Sequence, residues 1–280
     1  MSRTRTSRAT RIRYIGFDMD ECVGHVHPLH PFTNEFMTRE KADGKTVHRA
    51  AASLAACERA RRTGFLRPCI PAVLCAVYDA MKSTQIRSAF LFSNNSNHSL
   101  VEFIGLLLET VVQQERGLKE RPRLFEMAVS FQSPERGEAT GIKDWASITK
   151  SLAYHGLPLP TSKSDLLFFD DKKHALAPEI THYTVVPAYH SSATLADALR
   201  CGLGMGQGKD KGKGKKNSNN NRWERLLRWR GGTAHRVPVE DEGQSVFLDS
   251  IRRFLEDAPN PKKSRTDRTD RRTRKNRRHG

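Results

Sequence analysis

The sequence predicts a three-layer α/β fold built on a parallel β-sheet, and short apolar runs are the main reason. Runs at 14–17, 89–92 and 166–169 have the length and the β-branched or aromatic content of buried strands. Each run ends abruptly in acidic or small polar residues, and amphipathic segments lie between them. Buried strands that alternate with helices are typical of a parallel sheet covered on both faces.

The run at 14–17 leads directly into two carboxylates, Asp18 and Asp20. Acidic residues are uncommon in strands, so their position at the end of one indicates a function, with a cap on the loop after the strand as the alternative. In open α/β sheets, ligands bind at the carboxyl ends of the strands. Residues two apart share one face of a strand, so both acids can converge on one ligand. Next to a phosphate they would require a hard cation such as Mg²⁺ between them.

The second run, 89–92, is followed by Ser93, Asn94 and Asn95. A small hydroxyl beside free backbone N–H groups can hold an oxygen of a phosphoryl group. Asn94 is a candidate substrate-binding residue in the same turn. Read alone, this stretch is equally typical of a turn that caps a helix.

The run at 166–169 repeats the pattern of the first, because it ends in Asp170 and Asp171. Before it, Lys143 stands near the start of a helix predicted to extend to about residue 154. A cation is electrostatically disfavoured there, so an anion in front of the helix explains it better. Lys150 is the alternative lysine, and an ordinary surface position for Lys143 also remains open.

These four motifs, in this order, resemble those of the haloacid-dehalogenase superfamily of phosphohydrolases. The stretches 18–25 and 168–171 are most similar to the carboxy-terminal-domain phosphatases and the magnesium-dependent phosphatases of that superfamily. The resemblance covers about residues 12–190. Cys22 and Gly24 depart from the usual first motif, which has Thr and a larger apolar residue there, without removing a reacting group.

The resemblance implies a division of roles among the site residues. Asp18 would be the nucleophile and Asp20 the general acid and base. Ser93 and Lys143 would hold the phosphoryl oxygens. The metal site for Mg²⁺ would comprise Asp18, Asp20 through its backbone carbonyl, Asp171 and Asp170, of which Asp170 also matches the residue that positions the lysine.

An insertion at about 26–66, containing a helix at 46–62, is expected to form a small helical cap over the site. His25 matches a histidine of the phosphatase motif and is a candidate substrate contact. His27 and His30 follow it, but the prolines between them favour a loop over a metal site.

The remaining pattern completes the fold. We expect helices from about residue 67 to 81, at 98–116 and at 194–199, and strands at 124–131 and 183–186. The predicted domain organisation is a basic tail at 1–10, a phosphatase domain at 11–200, a flexible linker at 201–222, amphipathic helices at 223–257 that dock on the body, and a basic disordered tail at 258–280. Aromatic residues interleaved with arginines at 222–230 could alternatively stack on single-stranded nucleic acid.

The net charge of +17 is distributed unevenly along the chain. Residues 1–13, 206–230 and 262–280 carry +5, +7 and +8, so the rest of the chain carries −3. This pattern indicates an enzyme body with basic segments that attract polyanions, or basic segments that only keep the protein soluble or direct its localisation. The five cysteines form no Cys-x-x-Cys pair, and no secretion signal or membrane span is evident, which predicts an intracellular, cytoplasmic or nuclear protein. The Arg-rich start also leaves organelle import open.

The sequence therefore predicts a Mg²⁺-dependent phosphatase that acts on a phosphomonoester through an aspartyl-phosphate. The substrate could be a phosphoprotein, a small molecule or a phosphorylated nucleic acid. The alternatives are a phosphatase of polynucleotide ends and a nucleic-acid-binding protein on the same fold.

Overall fold

The computed structural model describes residues 11–26, 64–136, 141–191, 241 and 243–257. The predicted helices at 46–62 and 194–199, most of the cap, His27, His30, the linker, the segment 222–230 and both tails lie outside these residues. The elements in chain order are β1 (Tyr14–Phe17), α1 (Ile70–Lys82), β2 (Ser88–Phe92), α2 (His98–Glu115), β3 (Phe125–Val129), α3 (Trp145–Tyr154), β4 (Leu166–Asp170), β5 (His182–Val185) and α4 (Gly243–Glu256), with short 3₁₀ turns at Pro134–Arg136 and Lys163–Asp165.

All five strands form one parallel sheet in the order β3-β2-β1-β4-β5. The predicted three-layer α/β architecture is thus confirmed, with β1 at the centre. The chain builds outward from β1 through β2 to β3, and then returns to β4 on the other side of β1. The strand order therefore reverses between β1 and β4, and this is where open α/β sheets form a ligand-binding crevice.

Two apolar clusters cover the two faces of the sheet. Alternation along β1 directs Ile15 and Phe17 into the cluster shared with α1, α2 and α4, and Tyr14 into the cluster shared with α3. On the α3 side, Gly16 leaves room for the rings of Phe90 and Phe168, which would lie only 2.5–2.6 Å from a Cβ atom at that position. A glycine in the middle of a strand is costly, so this close aromatic contact explains its presence.

Local signals define the helix ends. Pro71 lies in the first turn of α1, where its missing N–H is not needed. Asn97 caps α2 by accepting from the N–H of Leu100. Asp144 caps α3 through a reciprocal pair of hydrogen bonds with Ser147. The predicted strand at 124–131 is shorter in the structure, because the N–H of Ser130 turns to the hydroxyl of Ser133 instead of continuing the ladder.

Helix α4 belongs to the hydrophobic core even though 57 residues, 186–242, separate it from β5. Phe247, Ile251 and Phe254 are buried in the same cluster as β1 and α1. Two buried arginines hold its ends: Arg67 lies 3.5 Å from Asp241, and Arg13 bonds the carbonyl of Phe254 and stacks on its ring. The folded core therefore extends beyond residues 12–190, which the sequence motifs span.

The ends of the cap insertion meet in the structure. Gly24 pairs antiparallel with Leu66, and the N–H of His25 donates to Phe65 at 2.8 Å. A Cβ on Gly24 would lie 2.2 Å from the Phe65 carbonyl oxygen, which explains why a larger residue is absent here. Among the described helices, none has the length and apolar character needed to cross a membrane.

Candidate active site

A polar cavity of about 480 Å³ opens at the carboxyl ends of β1, β2 and β4. Its position matches the reversal of strand order, so the fold itself creates the crevice. The lining consists of Asp18, Asp20, Ser93, Asn94, Asn95, Ser96, Lys143, Asp171, Lys172 and His174.

Asp18 is the first residue after β1, and its backbone continues the sheet by donating to the Phe169 carbonyl at 2.8 Å. Its side chain is only 7% exposed and lies against the buried ammonium of Lys143, with 2.6 Å between Oδ1 and Nζ. The same Nζ lies 2.9 Å from Oδ2 of Asp170, the last residue of β4. One lysine thus joins the ends of two adjacent strands.

Lys143 lies two residues before the first residue of α3, because Asp144 takes the capping position. Its side chain is 2% exposed and turns into the cavity, whereas Lys150 is exposed on the surface of α3. Of the two lysines considered from the sequence, the structure brings only Lys143 to the acidic residues.

Burial dominates the electrostatics of this group. It raises the pKa of Asp18 to about 7, the attraction of Lys143 opposes the rise, and the nearby charge of Asp170 adds to it. For Lys143, burial disfavours the ammonium, but the two carboxylates outweigh it and raise the pKa. Lys143 is therefore a permanent cation at neutral pH, suited to hold an anion.

Asp18, Asp170 and Asp171 form the metal-compatible group among the described residues, with ligand atoms within 4.8 Å of one another. The three side chains are each at most 7% exposed; Asp18 and Asp170 share the buried Lys143, whereas Asp171 pairs with the exposed Lys172. The Asp171 Oδ2 atom is also buried without a hydrogen bond, although Lys172 lies 3.2 Å from it. This excess of buried negative charge, presented by oxygen ligands, fits a hard divalent cation.

The loop after β2 supplies the opposite wall. Ser93 is 1% exposed, and its hydroxyl accepts the N–H of Asn95 at 3.0 Å. Asn94 is exposed in the cavity and its amide donates to the Gly141 carbonyl at 3.1 Å, which links this loop to the segment before Lys143.

Asp20 lies beyond the strand, in a turn where it forms a bridge with Gly24. Its Oδ2 atom accepts from the amide of Asn95 at 3.0 Å. Both Asp18 and Asp20 line the same cavity, but they are held by different partners: Lys143 for one and Asn95 for the other.

His25 is half-buried, with its ring 6.3 Å from that of His190, and is not among the described residues that line the cavity. Asp170 is fully buried behind Lys143, so it contacts the cavity through the lysine. His174 lies 3.6 Å from Asp170 and is a lining residue that sequence reasoning missed.

Arg136 is the most consequential residue that the sequence did not indicate. Its guanidinium is buried and donates to the Ser93 carbonyl, the Asn94 side chain and the Ile142 carbonyl at 2.9, 2.9 and 3.1 Å. It also stacks on Phe92 at 4.6 Å. It therefore fixes the loop after β2 to the segment carrying Lys143. A single arginine in a polar turn gives no local signal of such a role.

No protein-family model matches the chain, and no curated protein matches it at a significant level.

Proposed function

We propose that this protein is a Mg²⁺-dependent phosphohydrolase of the haloacid-dehalogenase type. The observation that carries the proposal is the convergence of Asp18, Lys143 and Asp170 at the ends of two adjacent strands, with Asp171 beside them. A buried carboxylate next to a buried ammonium and an acidic metal-compatible group offers a nucleophile, an anion partner and a cation site in one crevice.

In this proposal, Asp18 attacks phosphorus through a carboxylate oxygen while the bond from phosphorus to the leaving oxygen breaks. Asp20 gives its proton to that oxygen. Water then attacks the aspartyl-phosphate, Asp20 takes a proton from the water, and Asp18 is released as a carboxylate. Ser93 and Lys143 hold the phosphoryl oxygens throughout.

Asp18, Asp171 and the backbone carbonyl of Asp20 would hold Mg²⁺, with Asp170 completing the acidic group. When bound, the ion would neutralise charge on the phosphoryl group and orient it toward Asp18. The side chains of Asp170 and Lys143 keep Asp18 in place from the other side. Asn94 and His25 remain candidate substrate contacts.

The test is hydrolysis of 4-nitrophenyl phosphate by the full chain with Mg²⁺ and with EDTA. We expect activity only with Mg²⁺, and none in Asp18→Asn, which loses the nucleophile. Asp20→Asn should lower kcat by about 10²–10⁴-fold, because hydrolysis of the aspartyl-phosphate then lacks its general base, yet the variant should still bind the metal. Full activity of Asp18→Asn, or full activity in EDTA, would refute the mechanism.

A phosphorylated polynucleotide is the second candidate substrate, because three short segments carry a total charge of +20. Clusters of Lys and Arg bind nucleic-acid phosphates without regard to sequence. A phosphoprotein is the other macromolecular candidate, on the strength of the resemblance to the carboxy-terminal-domain phosphatases.

A further inference from the structure

Asn95 contacts Asp20 in an orientation that the backbone determines. The Oδ1 atom of Asn95 accepts the N–H of Asn97 at 2.9 Å, and a backbone N–H can only donate. The other end of the amide, Nδ2, must therefore face Asp20, where it lies 3.0 Å from Oδ2. The hydrogen bond therefore runs from the side-chain amide of Asn95 to the carboxyl oxygen of Asp20.

The backbone of Asn95 is held as firmly as its side chain. Its N–H donates to the Ser93 hydroxyl at 3.0 Å, and its carbonyl accepts the N–H of Phe131 at 2.9 Å. Asn95 is thus held by Ser93, the first residue after β2, and by Phe131, two residues past the end of β3. A donor held by three other hydrogen bonds can orient the carboxyl group of Asp20.

Asp20 needs such a partner, since it lies three residues past the end of β1 in a turn. A side chain in a turn has several rotamers, and a group that transfers a proton works only when it reaches the reacting oxygen. We propose that Asn95 is the positioning residue of Asp20, holding its carboxyl group toward the leaving oxygen. This inference rests on the proposed phosphohydrolase function.

If Asn95 positions Asp20, the rate loss on removing Asn95 should depend on the leaving group of the substrate. When Asp18 bonds to phosphorus and the ester bond breaks, the electron pair goes to the leaving oxygen. An alkoxide is strongly basic and requires the proton of Asp20, whereas 4-nitrophenoxide is stable without it. A displaced Asp20 therefore lowers kcat/KM for alkyl phosphates much more than for 4-nitrophenyl phosphate.

The sharpest variant is Asn95→Asp, which has the same shape. Its carboxylate still accepts the N–H of Asn97, so the loop is retained, but once ionised it has no proton to donate to Asp20. In Mg²⁺, we expect kcat/KM for an alkyl phosphate such as glycerol phosphate to fall by about 10²-fold, the scale of a misplaced catalytic group. The fall for 4-nitrophenyl phosphate should be at least tenfold smaller. Asn95→Ala should show the same selectivity.

Asn97→Ala is the matched control in the same loop. It removes the side-chain cap of α2 but keeps the backbone N–H that orients Asn95. It weakens the start of the helix, so any change in kcat/KM should be equal for the two esters. Asp20→Asn supplies the reference for complete loss of the acid.

A second readout needs neither metal nor turnover. In EDTA, the side-chain amide resonances of Asn95, assigned by their absence in Asn95→Asp, should shift in Asp20→Asn because their acceptor changes. Two results would overturn the positioning role of Asn95 and leave the proposed function standing. One is an equal loss of kcat/KM for the two esters in both Asn95 variants. The other is that Asp20→Asn leaves the amide resonances of Asn95 unchanged. A wild-type chain that hydrolyses neither ester would overturn the proposed function and this assignment together.

Discussion

The Nζ atom of Lys143 lies 2.6 Å from Oδ1 of Asp18, and both side chains are almost completely buried. Lys143 precedes helix α3 and belongs to no strand, whereas Asp18 is the first residue after β1, the central strand of the sheet. The site is therefore assembled from residues that are far apart in sequence and that the sheet and α3 bring together.

Replacing Lys143 by Ala should destabilise the protein strongly in the absence of metal. Asp18 and Asp170 would then remain buried without a counter-charge, and removing one partner of a buried pair costs about 3–5 kcal/mol. A divalent cation would restore part of this loss, so Mg²⁺ should raise the melting temperature more in Lys143→Ala than in the wild type. Differential scanning calorimetry with EDTA and with Mg²⁺ measures both effects.

Lys150→Ala provides the control for that experiment, since Lys150 is exposed on α3 of the same segment. Its stability should lie within about 0.5 kcal/mol of the wild type, as for most surface substitutions. If Lys143→Ala proved equally stable in EDTA, the buried ion pair would not exist in solution.

The position of the site could be predicted from the sequence, because its signals are local. Asp18, Ser93 and Asp170 each interrupt an apolar run, and parallel strands bring such ends to one edge of the sheet. Lys143 was identified from the mismatch between its charge and the helix start. The five-stranded parallel sheet follows from these three runs together with the predicted strands at 124–131 and 183–186.

The supporting contacts could not be predicted, because they join residues far apart in sequence. Nothing near Arg136 indicates that it binds the carbonyl of Ser93, 43 residues earlier. The pairing of Asn95 with Asp20, 75 residues apart, is equally invisible. The amphipathic pattern of α4 was recognisable, but its partner arginines, Arg13 and Arg67, were not.

Substitution of Phe247 measures how much the packing of α4 contributes to the free energy of unfolding. Phe247 is fully buried, and its ring centroid lies 4.7 Å from that of Phe169 and 6.4 Å from that of Phe17. Phe247→Ala should therefore cost about 3–5 kcal/mol of unfolding free energy, measured by urea denaturation. Arg252→Ala, on the exposed face of the same helix, should change it by less than about 0.5 kcal/mol. Similar values for the two variants would show that α4 does not pack on the sheet in solution.

Glu109 of α2 links pH to stability away from the site. Its Oε1 atom accepts the N–H groups of Leu124 and Phe125 at 2.8 and 3.0 Å, at the start of β3. Burial raises the pKa of this carboxyl, and the two N–H donors and Arg121 only partly oppose the rise. The folded protein thus favours the protonated form relative to the unfolded chain.

The raised pKa of Glu109 determines how the stability of the protein changes with pH. The protonated Glu109 carboxyl makes its full contribution to the stability of the folded protein below the pKa of the unfolded chain, about 4.3. That contribution is lost as the pH rises through the higher pKa of Glu109 in the folded protein. Glu109→Gln keeps the acceptor and cannot ionise, so the wild type should become less stable relative to Glu109→Gln as the pH rises. Glu109→Ala should be less stable at every pH, because two buried N–H groups lose their acceptor at about 1–3 kcal/mol each. Urea denaturation of the three proteins across the pH range tests this, and a constant difference between wild type and Glu109→Gln would contradict it.

The last prediction concerns the basic segments, whose charges come from the sequence alone. Residues 1–13, 206–230 and 262–280 carry +20, while the rest of the chain carries −3. We expect the full chain to bind single-stranded and duplex nucleic acid through these segments, with little sequence preference, because phosphate contacts carry no base information. Affinity should fall steeply as salt rises, since each neutralised phosphate releases counterions.

The variant for this test must keep α4, because a truncation near residue 200 would remove Phe247, Ile251 and Phe254 from the core. Serine substitution of the lysines and arginines within 206–230, combined with deletion of 1–10 and 262–280, removes most of the charge and leaves the packed helix intact. Replacing the exposed Arg252 and Arg253 of α4 by serine is the control, and it should alter the salt dependence little. Fluorescence anisotropy with a labelled oligonucleotide over a salt series measures the binding.

The same variant separates the candidate substrates, because the site residues are untouched and 4-nitrophenyl phosphate hydrolysis should persist. If turnover of a 5′-phosphorylated oligonucleotide falls far more than turnover of a phosphopeptide, the basic segments hold the substrate and a polynucleotide is favoured. If both rates persist while oligonucleotide binding is lost, the basic segments serve to tether the protein or to direct it within the cell. A phosphoprotein is then the favoured substrate. Absence of salt-dependent binding by the full chain would show that a charge of this size, spread over three segments, does not by itself create a nucleic-acid interface.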